Sequence, residues 1–342
     1  MGLRAWAPGR VNLIGDHTDY MGGLVLPMAI GLGTEITGDH GGNWVMLGSD
    51  RFDGVAEIPL AGVDDPAAVE PPWARYVAAV VGEITPDDGL VGMVHSTLPA
   101  GSGLASSAAL QVAVATALGA DLGDPLAVAQ ACQRAEQRAT GVPVGIMDQL
   151  VSLAAVEGSV LRIDCDALTI DQVPFPEDAE IVVIHSGEHR ELTGSAYAMR
   201  RAECEAAEAV VGRLRDADPV DVEAIEDPVL RRRARHVTTE NRRVDALASA
   251  LAKDQLAYAG ELLVASHASL RDDFEVSTPM LDQIVGTVRG VPGVYGARVT
   301  GAGFGGCVVV LCKPKTRIGG PVVWRGRPAP GAALHATGQS QG

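Results

Sequence analysis

Lysine is nearly missing from this 342-residue chain: Lys253, Lys313 and Lys315 are all it has. A phosphate loop built on a lysine is therefore excluded from everything before residue 253, and an anion bound there must rely on backbone amides, a helix N-terminus, arginine or a metal ion. Cysteine is also sparse. Cys132, Cys165, Cys204, Cys307 and Cys312 are scattered, odd in number and form no Cys-x-x-Cys pair, so buried free thiols are expected rather than disulfides or a zinc site. No apolar run approaches the ~18–20 residues that span a bilayer. The N-terminus runs from Met1 straight into a Pro8-Gly9 turn rather than a secretory segment, and Trp6 stands where a myristoylation signal wants Ser or Thr. A cytoplasmic location is expected. A net charge of −16 supplies no general basic surface, so neither nucleic acid nor an anionic membrane is expected as a partner. An anionic small molecule remains compatible, since a local site can still be positive.

What is present fills two domains on a prior of ~100–200 residues each. Short β-type runs (Val11–Ile14, Leu24–Leu26, Trp44–Leu47) alternate with Gly- and Asp-rich turns over residues 5–60, which reads as a β-meander. Helical periodicity covers Trp73–Ile84, Leu90–His95 is strand-like, and two apolar helices follow over 108–118 and 126–139. After the Pro174-Phe175-Pro176 turn the style changes to a strand at Ile181–Ile184 and long charged helices within 195–215 and 227–267, then short strands at Gly296–Val299 and Val308–Leu311. This places a domain boundary near 178, dividing the chain into 1–178 and 179–342. Residues 313–342 are rich in Gly and Pro and carry two Lys and three Arg with no acid; a frayed tail is expected, with Val322–Trp324 as a final short strand.

Four local patterns carry chemistry. Gly9-Arg10-Val11-Asn12-Leu13-Ile14-Gly15-Asp16-His17-Thr18-Asp19-Tyr20 delivers a cluster of hydrogen-bonding side chains into one turn, which suits a polyhydroxylated ligand as well as it suits an ordinary polar turn. Gly101-Ser102-Gly103-Leu104-Ala105-Ser106-Ser107 runs into an apolar helix, an arrangement that presents free N–H groups to an anion. Its likeness to a dinucleotide fingerprint is weak, because Ser106 replaces the third glycine and Asp121 has no strand to carry it. Gly145-Ile146-Met147-Asp148-Gln149 contains an acid among apolar neighbours, either a helix cap or a partly desolvated base, with Glu136 twelve residues earlier as a candidate metal ligand. Gly301-Ala302-Gly303-Phe304-Gly305-Gly306 leads into a strand and reads as close backbone packing or a substrate-facing turn. His185-Ser186-Gly187-Glu188-His189 matches a metalloprotease pattern in letters only, since that pattern needs a helix and this one follows a strand.

Together, in order and spacing, these segments resemble the GHMP small-molecule kinases, and within them the galactokinases. Gly9–Met28 resembles the galactokinase signature, Pro99–Ala109 the family's ATP loop and Val299–Cys307 its third motif; Ser195–Cys204 and Ser266–Asp273 fit as well, so that the resemblance covers residues 5 to 312. It implies a two-domain α+β fold, with an N-terminal domain like the second domain of ribosomal protein S5 and a ferredoxin-like C-terminal domain. It also implies phosphorylation of the galactose anomeric hydroxyl by MgATP. A monomer is expected. Carried over by residue, Asp148 matches the catalytic aspartate and Arg10 the arginine beside it. Asp16, His17, Asp19, Gly145 and Tyr197 match the sugar site, Gly101 through Ser107 the triphosphate, and Ser106 with Glu136 the magnesium ion. Asp16 stands where the family usually carries glutamate, and Ala105 replaces the first serine of the loop's triplet. The alternatives are a GHMP kinase for another sugar such as an N-acetylhexosamine, and a non-catalytic galactokinase-like sugar sensor.

Overall fold

Small and β-branched residues at the start of the chain form two long strands, β1 (Gly2–Asn12) and β3 (Pro27–His40), with the two-residue β2 (Leu24–Val25) between them. The computed structural model describes residues 2–99, 103–142, 144–188 and 193–336, the side chains of 193–195 excepted. β4 (Trp44–Ser49) and β5 (Ala56–Pro59) continue the sheet, helix α1 (Ala74–Ile84) crosses it, and β6 (Leu90–Ser96) returns. The expected meander is not what forms. β6 inserts between β3 and β4, antiparallel to the first and parallel to the second, giving the order β13-β1-β3-β6-β4-β5. The α1 crossover makes the parallel pairing possible, and local alternation of residues carries no record of it.

Helices α2 (Ser106–Ala117), α3 (Pro125–Thr140) and α4 (Met147–Ala154) follow. Most of α2 is buried, including Ala108, Val112, Val114 and Ala117, and its small side chains pack with α1 and α3 in one core against the six-stranded sheet. A hairpin of β7 (Ser159–Asp164) and β8 (Thr169–Pro174) pairs with β2 in a separate three-stranded sheet. Then come β9 (Glu180–His185), α5 (Thr193–Val211), α6 (Pro219–Glu223), α7 (Pro228–Ala252), α8 (Leu256–Asp272) and α9 (Pro279–Arg289). β10 (Val294–Thr300), β11 (Cys307–Cys312) and β12 (Val322–Gly326) join β9 in the order β10-β11-β9-β12. The α+β expectation holds. A second apolar cluster joins Val11, Ile14 and Leu26 of the first half to Val183, Val244 and Val309 of the second, so residues after 180 pack directly behind the N-terminal turn.

The tail does not fray as expected. β12 is longer than the short strand anticipated, and β13 (Ala333–Ala336) pairs with β1, so the chain is ordered back onto its own first strand. Two of its arginines help to hold it. Arg325 donates to Glu180 and to the Thr316 carbonyl, both at 2.6 Å, and Arg327 donates to the Pro176 carbonyl at 2.5 Å and that of Phe175 at 3.2 Å. Among the described residues no helix is long and apolar enough to cross a membrane.

Candidate active site

The end of β1, the loop before α2, the start of α4 and the 301–302 turn converge on one cleft of about 580 Å³. Of the residues singled out in the sequence, Arg10, Asp16, His17, Asp19, Gly103, Ala105, Ser106, Ser107, Glu136, Gly145, Asp148 and Tyr197 all line it. Leu104 is buried just behind, its carbonyl accepting the Arg10 N–H at 3.1 Å, which ties the loop to β1. Gly101 and Ser102 lie outside the described residues, as does His189. The described letters of the metalloprotease pattern, residues 185–188, fall where β9 ends and on the bend after it, not on a helix.

Arg10 organises the centre. Its Nε donates to Asp148 Oδ1 at 2.8 Å and its Nη2 to Oδ2 at 2.6 Å, while Nη1 reaches the Gly103 carbonyl at 2.6 Å. A two-point guanidinium–carboxylate contact fixes the carboxylate in plane as well as in position. Asp148 sits in the first turn of α4, where the helix dipole favours a negative charge.

The part of the cleft able to receive an anion is the start of α2. Its N-cap, Ala105, adopts a left-handed conformation (φ 59°) and offers no side-chain oxygen, so no side chain caps the first turn. The aspartates and threonine that cap α3, α6, α7 and α9 each accept a backbone N–H; α2, like α1, α4 and α8, has no side-chain cap, and its N-terminus lines the cleft. The exposed Ser106 stands at that end, and Ser107 donates to Glu136 Oε1 at 2.8 Å. Gln149 donates to Glu136 Oε2 at 2.6 Å. Burial pushes the Glu136 carboxyl above its usual range, and those two hydrogen bonds pull it back toward the ionised form.

The opposite wall is aromatic and acidic. His17, in a left-handed conformation at φ 66°, packs its ring on Phe274 and Tyr197 with centroids 4.7 and 5.6 Å away. Its nitrogens face the Tyr20 hydroxyl at 3.1 Å and the Ala302 carbonyl at 3.2 Å, and burial lowers its pKa to about 4, so the ring is neutral at pH 7. Asp19 is raised to about 6, first by desolvation and then by the neighbouring charge of Asp148. A Cβ on Gly145 would meet the Asp19 carboxylate, so a side chain there would have to push that carboxylate from its place in the cleft. Burial also raises the Tyr197 phenol, followed by the charges of Asp19 and Asp148. Asp16 differs from the others: Gly301 N donates to its Oδ1 at 2.9 Å and Arg298 to its Oδ2, so the protein itself engages both oxygens.

Sequence reasoning did not single out Gly15, Val144, Met147, Gln149, Gly301 or Ala302 as site residues, although most lie in stretches it quoted. It missed a second, more apolar cavity of about 360 Å³ that shares Ser106 and Ser107 with the cleft and is walled by Phe52, Trp73, Tyr76 and Leu98. Widely spaced aromatic residues leave no local motif; only the fold collects them.

Comparison with known proteins identifies the family. The profile for the galactokinase galactose-binding signature matches residues 3–39, that for the GHMP kinases N-terminal domain residues 74–155, and that for the GHMP kinases C-terminal domain residues 247–319. Human galactokinase is 43% identical over 336 residues, covering 90% of this chain and 83% of the human protein. The crystal structure of Lactococcus lactis galactokinase complexed with galactose superposes with a TM-score of 0.83 at 34% identity, covering 91% of this chain and 86% of that one. The Methanococcus jannaschii mevalonate kinase shares the fold at a TM-score of 0.67 and 20% identity, covering 92% of each chain.

Proposed function

Because this chain belongs to the galactokinases of the GHMP kinase family, we propose that it transfers the γ-phosphoryl group of ATP to the anomeric hydroxyl of galactose, releasing ADP and galactose 1-phosphate. The observation that carries the reading is the Arg10–Asp148 pair set between the uncapped N-terminus of α2 and the wall formed by His17, Asp19 and Tyr197.

In this reading the sugar lies against Asp16, His17, Asp19, Gly145 and Tyr197, with its reacting hydroxyl toward Asp148. The Asp148 carboxylate accepts the hydroxyl proton as the sugar oxygen forms its bond to the γ-phosphorus and the bond to the ADP oxygen breaks. Arg10 holds the carboxylate in the plane required for that transfer and brings positive charge beside the phosphoryl group. Residues 101–107 receive the triphosphate through backbone N–H groups, which explains how a region without lysine binds it. The purine fits the neighbouring cavity between Trp73, Tyr76 and Phe52.

Magnesium fits the residues present. Among the described residues the cleft is lined by the carboxylates of Asp19, Glu136 and Asp148, and by that of Asp16, which Arg298 pairs from behind, against the guanidinium of Arg10, a poor balance for a triphosphate alone. The hard oxygen donors of Ser106 and Glu136 are the type this ion takes. When bound there it supplies neutralisation of phosphate charge. We place the boundary between domains at residue 178: the strands before it form the six- and three-stranded sheets and those after it the four-stranded sheet, with β13 returning across. The charge of −16 supports a partner list without nucleic acid or membrane, and we assign the protein to the cytoplasm as a monomer. An ADP-coupled assay with galactose, glucose, N-acetylgalactosamine, arabinose and mevalonate side by side tests the function. Galactose should give the highest kcat/KM; a preference for N-acetylgalactosamine would move the reading to another sugar, and turnover of none of them would leave the sensor.

A further inference from the structure

We propose that Arg298 is a positioning residue for the sugar, acting through Asp16 and the loop that ends at His17; the proposal rests on the galactokinase reading above. Arg298 lies on β10, 282 residues from Asp16 in sequence, and is fully buried, while Asp16 is 4% exposed. The guanidinium makes two contacts with the N-terminal loop: Nη1 donates to the Leu13 carbonyl at 2.8 Å, and Nη2 to Asp16 Oδ2. Its Nε–H has no partner, so the side chain keeps these two contacts with a buried donor left unsatisfied.

The pair joins both sides of the sugar end of the cleft. On one side it fixes Leu13 and Asp16, immediately before His17. On the other, the second Asp16 oxygen takes the Gly301 N–H at 2.9 Å, and the next residue, Ala302, places its carbonyl 3.2 Å from His17 Nε2. Further bonds hold the same seam: Thr300 Oγ1 donates to the Asn12 carbonyl at 2.8 Å, and His236 Nε2 faces the Asp16 carbonyl at 3.1 Å. Gly15, Asp16, His17, Gly301 and Ala302 all line the cleft, whereas Arg298 does not. Both Asp16 oxygens are therefore used to set the spacing of two walls, and Arg298 fixes that spacing without reaching the ligand. None of these bonds touches Asp148, Arg10 or the start of α2. Loosening the seam should weaken the hold on the sugar equally in the ground and transition states, which raises KM and spares kcat.

Arg298→Lys keeps a positive charge but cannot hold Leu13 and Asp16 in the same fork. Steady-state kinetics should show the KM for galactose raised about tenfold or more, as expected for loss of a charge-assisted contact, with the KM for ATP and kcat within about threefold of wild type. Should the lysine variant fail to fold, the double variant Arg298→Met with Asp16→Asn removes both buried charges together and leaves none unpaired. It should melt near the wild-type temperature yet keep the raised galactose KM. A galactose KM within twofold of wild type in either folded variant overturns the proposal. So does a parallel fall in kcat and in affinity for both substrates, the signature of a merely structural residue. If wild-type protein makes no galactose-dependent ADP, the functional reading has failed and this inference with it, an outcome visible before any variant is made.

Discussion

Asp148→Asn separates chemistry from binding. Asparagine has nearly the same shape, so its oxygen can still accept the Arg10 Nε bond now made at 2.8 Å. Its NH2 group, however, faces Arg10 Nη2 where a 2.6 Å bond stood, and two donors oppose each other. The Asp148 side chain is 28% exposed, which lets water relieve that clash, and Arg10 keeps its 2.6 Å bond to the Gly103 carbonyl. The stability loss should therefore be about 1–2 kcal/mol, below the ~3–5 kcal/mol of breaking a fully buried pair. The rate loss should be far larger, because an amide cannot take the proton: a positioned general base contributes ~10²–10⁴ in rate, or ~3–5.5 kcal/mol in the barrier. The assay is ADP release with saturating galactose and MgATP, alongside calorimetric titration of ATP and a thermal melt. Expected are a kcat lowered at least a hundredfold, ATP affinity within a few-fold of wild type and a melting temperature lower by only a few degrees. A kcat within tenfold of wild type would remove Asp148 from proton transfer. A collapse of ATP binding would show that the Arg10–Asp148 pair serves the nucleotide and not the sugar.

Gly103 has φ +76°, a conformation valine reaches only under strain, so Gly103→Val should raise the KM for ATP at least tenfold while calorimetry shows galactose binding retained. Asp19 is raised from 3.8 to about 6, so the folded protein holds its proton more tightly than the unfolded chain; that stabilising contribution is full below about pH 4 and is lost as pH rises through 6. A carboxylate that accepts sugar hydroxyls works only once ionised, so the galactose KM should rise as pH falls below 6, and Asp19→Asn should flatten that profile; an unchanged profile in the variant would assign the titration elsewhere.

What the sequence disclosed was local. The glycine–serine run before α2, the acid at the head of α4 and the polar turn after β1 are each contiguous, and each brings described residues to the same cleft once folded. What it hid lies between distant segments. Nothing near residue 40 announces that Leu90–Ser96 will insert between β3 and β4, because alternation specifies which face is buried and not which strand is the neighbour. The basic tail looked unable to pay for its own ordering. Its arginines instead find carbonyls and one carboxylate some 150 residues back, at Phe175, Pro176 and Glu180, and β13 closes onto β1.

The two departures from the family pattern show how fold changes the meaning of a residue. Ala105 lacks the hydroxyl usual in the loop, but its position calls on backbone alone: it holds a left-handed turn and leaves the first N–H groups of α2 free of any side-chain cap. Asp16, read alone, is a shorter arm toward the sugar. Placed in the fold, both of its oxygens are already bound, one by Arg298 from β10 and one by the Gly301 amide. The missing methylene therefore acts on the distance between two walls as well as on the reach of one side chain. A buried pair at 0% and 4% exposure leaves little room for a longer acid unless the turn at 301–302 moves with it. Residue 16, residue 298 and the glycine turn form one unit of the site, and selectivity at the sugar end belongs to that unit rather than to any one of its side chains.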